Sequence, residues 1–159
     1  EVCGGRGGWV DVLGCEGGIW EGEAVDEMTE QQWDEMIDVN LKGMYLATHY
    51  AVPHLKASSA GAIVNIGSTA GQRGEAGHAH YAASKGGMIA WTKSLAPELA
   101  RLGVRVNSDA PGWVRTDLGG HTADLSVKEG ADTIVWLASA APSRLTGKYF
   151  RARKEIKKW

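Results

Sequence analysis

The sequence predicts an α/β domain built on a mostly parallel sheet, and three observations carry that prediction. Short apolar runs rich in β-branched residues alternate with longer segments of helical period. The order along the chain is strand, helix, strand, helix, strand, helix, strand, which favours parallel pairing through helical crossovers. The length of 159 residues suits one domain with a real core, and neither a repeat nor a linker divides it.

Residues 1–8, "EVCGGRGG", have no periodic pattern and read as a loop. "WVDVL" (9–13) reads as the first strand, followed by the glycine-rich loop "GCEGGIWEGEA". Thr29 with Gln32 three residues later forms a capping-box pattern that opens a helix. Trp33, Ile37, Leu41, Met44, Tyr45 and Thr48 recur at helical period and carry it to about Leu55, with Pro53 near its end. "AIVNIG" (62–67) is a second strand, and a loop runs on through Gly77. A long helix over 79–102 places Met88, Trp91, Leu95 and Leu99 on one side and ends at Gly103. Pro97 inside it is expected to cost stability or kink it. "VRVNS" (104–108) is a third strand. Ser126 and Glu129 form another capping box at the head of a helix over 126–140, and "GKYFRA" (147–152) is a final strand before the basic "RKEIKKW". Trp33, Trp91 and Trp136 sit at helical core spacing and are read as packing residues.

Bulk composition excludes several classes. Apolar residues make up 43% and charged residues 23%, as in soluble globular proteins, and a net charge of −2 gives no pull toward nucleic acid or membrane. No apolar run is long enough to cross a bilayer, and no leader peptide is visible. The chain opens on Glu1 rather than Met, so its natural start is expected upstream. Cys3 and Cys15 have neither the count nor the spacing of a secreted scaffold or a zinc site, so free thiols and a cytoplasmic setting are expected. His78 and His80 are two apart with no third ligand, so no metal is expected. The basic tail is balanced by acidic residues elsewhere and reads as solvated surface.

In parallel sheets ligands bind beyond the carboxyl ends of the strands, so chemistry is sought in the loops after residues 13, 67 and 108. Ser68 ends a strand, and Tyr81 and Lys85 share a helix face four residues apart. An ammonium beside a phenol favours the phenolate, which otherwise forms only near pH 10. Such a pair could exchange a proton with a substrate oxygen, and Ser68 could hold that oxygen as charge develops. Taken alone, a Tyr–Lys pair at this spacing is more often an amphipathic tyrosine beside a solvated lysine. The preceding strand, the serine thirteen residues upstream and the α/β order favour the catalytic reading.

Here the chain resembles the short-chain dehydrogenase/reductase family over about residues 9–159. "DVNLKG" (38–43), "IVNIGS" (63–68), "YAASK" (81–85) and "RVNSDAPGWVRTD" (105–117) are similar to four family motifs, in the family's order. The body looks like bacterial 3-oxoacyl carrier-protein reductases and glucose/alcohol-type relatives, whereas the tail looks like carbonyl reductases. The resemblance implies a partial Rossmann-like, doubly wound parallel sheet with flanking helices, here one catalytic domain over 1–159. It implies NAD(P), with NADP slightly favoured, and a small-molecule carbonyl or alcohol substrate. Tyr81 would be proton donor or acceptor; Lys85 would lower its pKa and bind the nicotinamide ribose. Ser68 would orient the carbonyl, and Asn40 would hold a water linked to Lys85. Gly17, Gly18, Pro111, Gly112, Val114 and Thr116 would border the cofactor. Trp20, Gln72, Trp113 and the loop 118–125 would line the substrate pocket. Helices near 30–55 and 79–102 would pair subunits of a homo-oligomer.

The sequence also departs from that family. "CGGRGG" lacks the preceding strand and following helix of a phosphate-binding turn, so the first three strand–helix units are expected to be missing. The strand at 9–13 would then be an edge needing cover from a partner or from the N-terminal residues. In "GCEGG" (14–18), Cys15 and Glu16 stand where the family has asparagines, and Glu16 would repel a phosphate. Asp109 falls in a segment that is usually apolar, where an unpaired carboxylate would cost several kcal/mol or shift its pKa. Two functions follow: an NAD(P)-dependent oxidoreductase using Ser68, Tyr81 and Lys85, or a non-catalytic relative that acts only through oligomerisation.

Overall fold

The computed structural model describes residues 2–3 and 10–158. Six strands form one sheet whose spatial order follows the chain. β1 (Val2–Cys3) lies antiparallel to β2 (Val12–Cys15), and β3 (Ala62–Ile66), β4 (Arg105–Asp109) and β5 (Tyr149–Arg151) follow in parallel. β6 (Lys154–Glu155) folds back antiparallel on β5. Between the strands stand α1 (Glu30–Ile37), a π-helical turn (Asp38–Lys42), α2 (Gly43–Leu55), the short α3 (Ala70–Arg73), α4 (Ala79–Ala100) and α5 (Val127–Ser139).

Alternate strand residues face opposite layers. Leu13, Ile63 and Val106 pack with Ala51 and Leu55 of α2 and Leu95 and Leu99 of α4. Val64 and Phe150 turn to the other face, against Leu137, Ile134 and Trp136 of α5. Helices therefore cover both faces, as the predicted fold class requires. Both capping boxes form, with Thr29 and Ser126 each accepting from the backbone three residues on. Each such cap is worth about 1 kcal/mol.

Several expectations are corrected. The strand read at 9–13 is set later, at Val12–Cys15, so it takes in Gly14 and Cys15 of the presumed loop; Trp9 lies outside the described residues. Within 1–8, Val2–Cys3 is a strand rather than loop, and it supplies the cover that β2 needs. The long helix read over 79–102 does form, as α4, with Pro97 inside it. The final strand is shorter than 147–152 and gains a hairpin partner in β6.

The first long helix is interrupted by the π turn, and its buried stripe is Met36, Asn40, Met44, Thr48, Ala51 and Leu55. The other apolar stripe is largely exposed: Trp33 is 43% accessible, so it is not a core residue. Ile37, Leu41 and Tyr45 instead join Ala90 and Trp91 to line an outward groove of about 400 Å³. Trp91 and Trp136 do pack against the core.

The β5–β6 turn is built from Ala152 and Arg153, both at positive φ (49° and 58°). Such a backbone normally takes Asn or Gly. Arg153 is held there from α5: its N–H donates to Thr133 Oγ1 at 3.0 Å, and its guanidinium makes two 2.6 Å bonds to Asp132.

Candidate active site

The carboxyl ends of β2, β3 and β4 lie side by side, Cys15 beside Asn65 and Ile66 beside Asp109. Ser68 follows β3, where its Oγ accepts from Ala70 N–H at 3.2 Å and starts α3. Tyr81 stands in the first turn of α4 and shares a side-chain hydrogen bond with Ser68. Lys85 is one turn further, with its Nζ 5.8 Å from the centre of the Tyr81 ring. Residues from the loop after β3 and from α4 thus meet at one strand end.

Lys85 is 7% accessible, and its Nζ donates to Ile66 O at 2.9 Å. Burial pulls its pKa down to about 8, opposed by the nearby Cys15. Burial also pushes the Tyr81 phenol above its ordinary value, opposed by the Ser68 bond and reinforced by Glu75. The ammonium is directed to the strand carbonyl rather than to the phenol.

Asn40 acts as a clamp. Its Oδ1 accepts from Ile19 N–H at 2.8 Å, and its Nδ2 lies within donating distance of Ile19 O (3.0 Å), Met36 Sδ (3.0 Å) and Ser84 Oγ (3.3 Å). Ser84 in turn donates to Tyr81 O at 2.7 Å. The loop after β2 is thereby tied to the Tyr81 turn of α4. The π turn puts Asn40 on the buried stripe, a frequent use of such turns at functional sites. Ser84, inside "YAASK", is a site residue that the sequence reading missed.

The glycines differ in what they allow. A Cβ at Gly18 would lie 3.2 Å from Asn40 Oδ1 and 3.8 Å from Lys85 Nζ, so Gly18 borders the cluster, while Gly17 faces open space. Gly71 packs α3 onto α4: a Cβ there would come 2.6 Å from the Lys85 carbonyl carbon. Gly71→Ala is expected to push α3 away and lower the thermal unfolding midpoint by several degrees. A differential scan checks it, and an unchanged midpoint would contradict this packing.

Other predicted residues occupy the rim. Trp20 stacks on His78 with centroids 4.5 Å apart and planes 7° from parallel, and Glu23 N–H donates to Gly77 O at 2.7 Å nearby. His78 is thus an aromatic partner, and among the described residues no cluster of three metal-ligating side chains forms. Gln72 Nε2 donates to Lys158 O at 3.1 Å, bringing the tail to the serine side. Pro111 and Gly112 (φ +94°) lead into a loop closed by Val114 pairing with Leu125. Thr116 Oγ1 accepts from Gly119 N–H at 3.2 Å within it, and Trp113 is exposed. This loop lies at the site end of the sheet, but among the described residues its hydrogen bonds are internal, and none joins it to Tyr81 or Lys85.

Cys15 is a free thiol whose pKa burial pushes up to about 11. Asp109 is fully buried with neither carboxylate oxygen hydrogen-bonded among the described residues. Its pKa rises to about 7 from burial, eased by Arg151 and reinforced by Asp132.

A parallel sheet with helices on both faces and polar residues gathered at its carboxyl edge is a partial Rossmann-like fold. The family description "short chain dehydrogenase" matches residues 3–127, and the chain belongs to that family. It is 36% identical over 156 residues to the 3-oxoacyl-(acyl-carrier-protein) reductase FabG of Staphylococcus aureus, covering 88% of this chain and 63% of that protein. The Thermotoga maritima protein of the same name is 37% identical over 155 residues, with 88% and 63% covered. That of Rickettsia bellii is 33% identical over 153 residues, with 87% and 64% covered. The chain thus spans a little under two thirds of the length of these relatives.

Proposed function

We propose that this chain carries the catalytic half of an NAD(P)-dependent oxidoreductase acting on a small carbonyl or alcohol. The observation that supports this most directly is the meeting of Ser68, Tyr81 and Lys85 at the end of β3. In this reading Tyr81 passes a proton to or from the substrate oxygen, Ser68 holds that oxygen, and Lys85 supplies positive charge behind the phenol.

The residues present suit the nicotinamide end of such a cofactor. Lys85 is a buried cation bordered by Gly18, and the open space at Gly17 leaves the backbone approachable. Lys85, Gly17 and Gly18 would hold that end, with Pro111, Gly112, Val114 and Thr116 on the opposite rim. The bound nicotinamide would supply or accept the hydride. Trp20, Gln72 and Trp113 are the proposed substrate contacts.

The groove of Ile37, Leu41, Tyr45, Ala90 and Trp91, with exposed Leu46 and Tyr50, supports pairing of two copies through α1, α2 and α4. No helix among the described residues is long and apolar enough to cross a membrane. A cytoplasmic setting without membrane or nucleic-acid partners belongs to the same proposal.

Titration with NADPH and with NADH, followed by tryptophan fluorescence, tests it. Saturable quenching reporting on exposed Trp113 is expected. A folded chain showing none with either nucleotide would favour the second reading, a relative that acts through its helices alone.

A further inference from the structure

The loop between β2 and α1, residues 16–29, forms neither helix nor strand and holds Gly17, Gly18 and Gly22, so little in its own backbone fixes its path. Its first residues nonetheless border the site, since a Cβ on Gly18 would lie 3.8 Å from Lys85 Nζ. The path is set from outside. On the buried side the Asn40 amide holds both backbone groups of Ile19, at 2.8 and 3.0 Å. On the exposed side the next residue, Trp20, lies flat on the His78 imidazole, with centroids 4.5 Å apart and planes 7° from parallel.

His78 immediately precedes α4 and stands three residues before Tyr81. Its carbonyl accepts from Ala82 N–H at 2.9 Å, which joins it to the first turn of that helix. Its Nδ1 lies 3.2 Å from Ala76 O, a contact that fixes the plane of the ring. Gly22 packs against the far edge of the same ring: a Cβ there would come 2.8 Å from His78 Nε2. One residue on, Glu23 N–H donates to Gly77 O at 2.7 Å. Trp20, Gly22 and Glu23 therefore all meet the segment Gly77–His78, and the imidazole is the centre of that contact.

We infer that His78 is a positioning residue of this site: by stacking on Trp20 it clasps the β2–α1 loop to the head of α4 and holds Gly17 and Gly18 beside Lys85, where the nicotinamide end of the cofactor would lie. The inference rests on the catalytic reading above. His78 acts through Trp20 and not on the reacting atoms. A loop without the clasp has to be ordered as the cofactor binds, and that lost freedom is subtracted from affinity. Trp20 remains 46% accessible, so the surface not covered by His78 is left to the opening of the site.

Glu21 and Glu23 lie within the loop, so cleavage by a glutamate-specific protease reads its freedom without cofactor or turnover. In His78→Ala, cleavage after these two residues, followed by mass spectrometry, is expected to rise about three- to tenfold, the worth of one aromatic stack. Affinity for NADH or NADPH, followed by fluorescence titration, should fall by about the same factor, with the cofactor KM raised more than kcat is lowered. His78→Phe keeps a planar ring on Trp20 and should restore both readouts. His78→Leu, which has bulk but no plane, should restore neither. Unchanged cleavage in His78→Ala, or rescue by Leu equal to that by Phe, overturns the clasp. Raised cleavage with unchanged nucleotide affinity overturns the positioning role and keeps the catalytic reading. A wild-type chain that binds neither nucleotide removes the catalytic reading and the positioning role with it.

Discussion

Tyr81→Phe is expected to lower kcat for carbonyl reduction by about 10²–10⁴-fold, the usual contribution of a positioned acid or base. The substitution deletes one oxygen and keeps the ring, so the packing of α4 and the approach of Lys85 to that ring are retained. What disappears is the hydroxyl bonded to Ser68. Steady-state kinetics with a saturating nicotinamide cofactor and a simple ketone would measure the loss. Fluorescence titration of the same variant should show cofactor affinity changed far less than kcat. Turnover left within a few fold of wild type would remove Tyr81 from the chemistry.

The second large effect concerns stability. Asp109 has an unfolded pKa near 3.8 and a folded value of about 7. The folded chain thus binds more protons than the unfolded chain across that window. Its stability is greatest below pH 4 as far as this group is concerned, and it falls as pH rises toward and through 7. The loss amounts to on the order of 4 kcal/mol. Asp109→Val should therefore be more stable than wild type by several kcal/mol at pH 8 and nearly equal to it at pH 4. Urea unfolding at the two pH values checks this. An equal difference at both would show that ionisation of Asp109 is not the cause.

Most of the layered fold was legible because periodicity and capping are local properties. The two boxes at Thr29 and Ser126 marked their helices correctly. Trp33 was read as a packing residue because it stands at helical period with Ile37, Leu41 and Tyr45, but that apolar row faces outward, while Met44 and Thr48 of the same periodic set are buried. The π turn at Asp38–Lys42 has no sequence signature, yet it brings Asn40 onto the buried side. β6 was unreadable because its turn uses Ala152 and Arg153, and its support from Thr133 and Asp132 is tertiary.

At the site, Ser68, Tyr81 and Lys85 were found from spacing plus family motif, and the structure brings them together. Asp109 stood out as a carboxylate in a segment that is usually apolar in the family, and it is buried and unpaired among the described residues. The contacts of Ser84, His78 and Tyr149 were not legible, since each depends on a neighbour from another element.

The strand order carries a consequence for how the molecule assembles. Because β1 to β6 lie in chain order, every strand joins the one made just before it, and no later strand has to insert between earlier ones. The parallel pairings nonetheless join residues far apart in the chain, Val12 to Ala62 and Ala62 to Arg105, so each closure carries the entropic cost of a long crossover and slows folding relative to local pairing. The larger hydrophobic cluster contains no residue beyond Val106. Among the described residues that cluster draws on nothing after β4, whereas the second face is closed by Leu137 of α5 and Phe150 of β5, which come later in the chain.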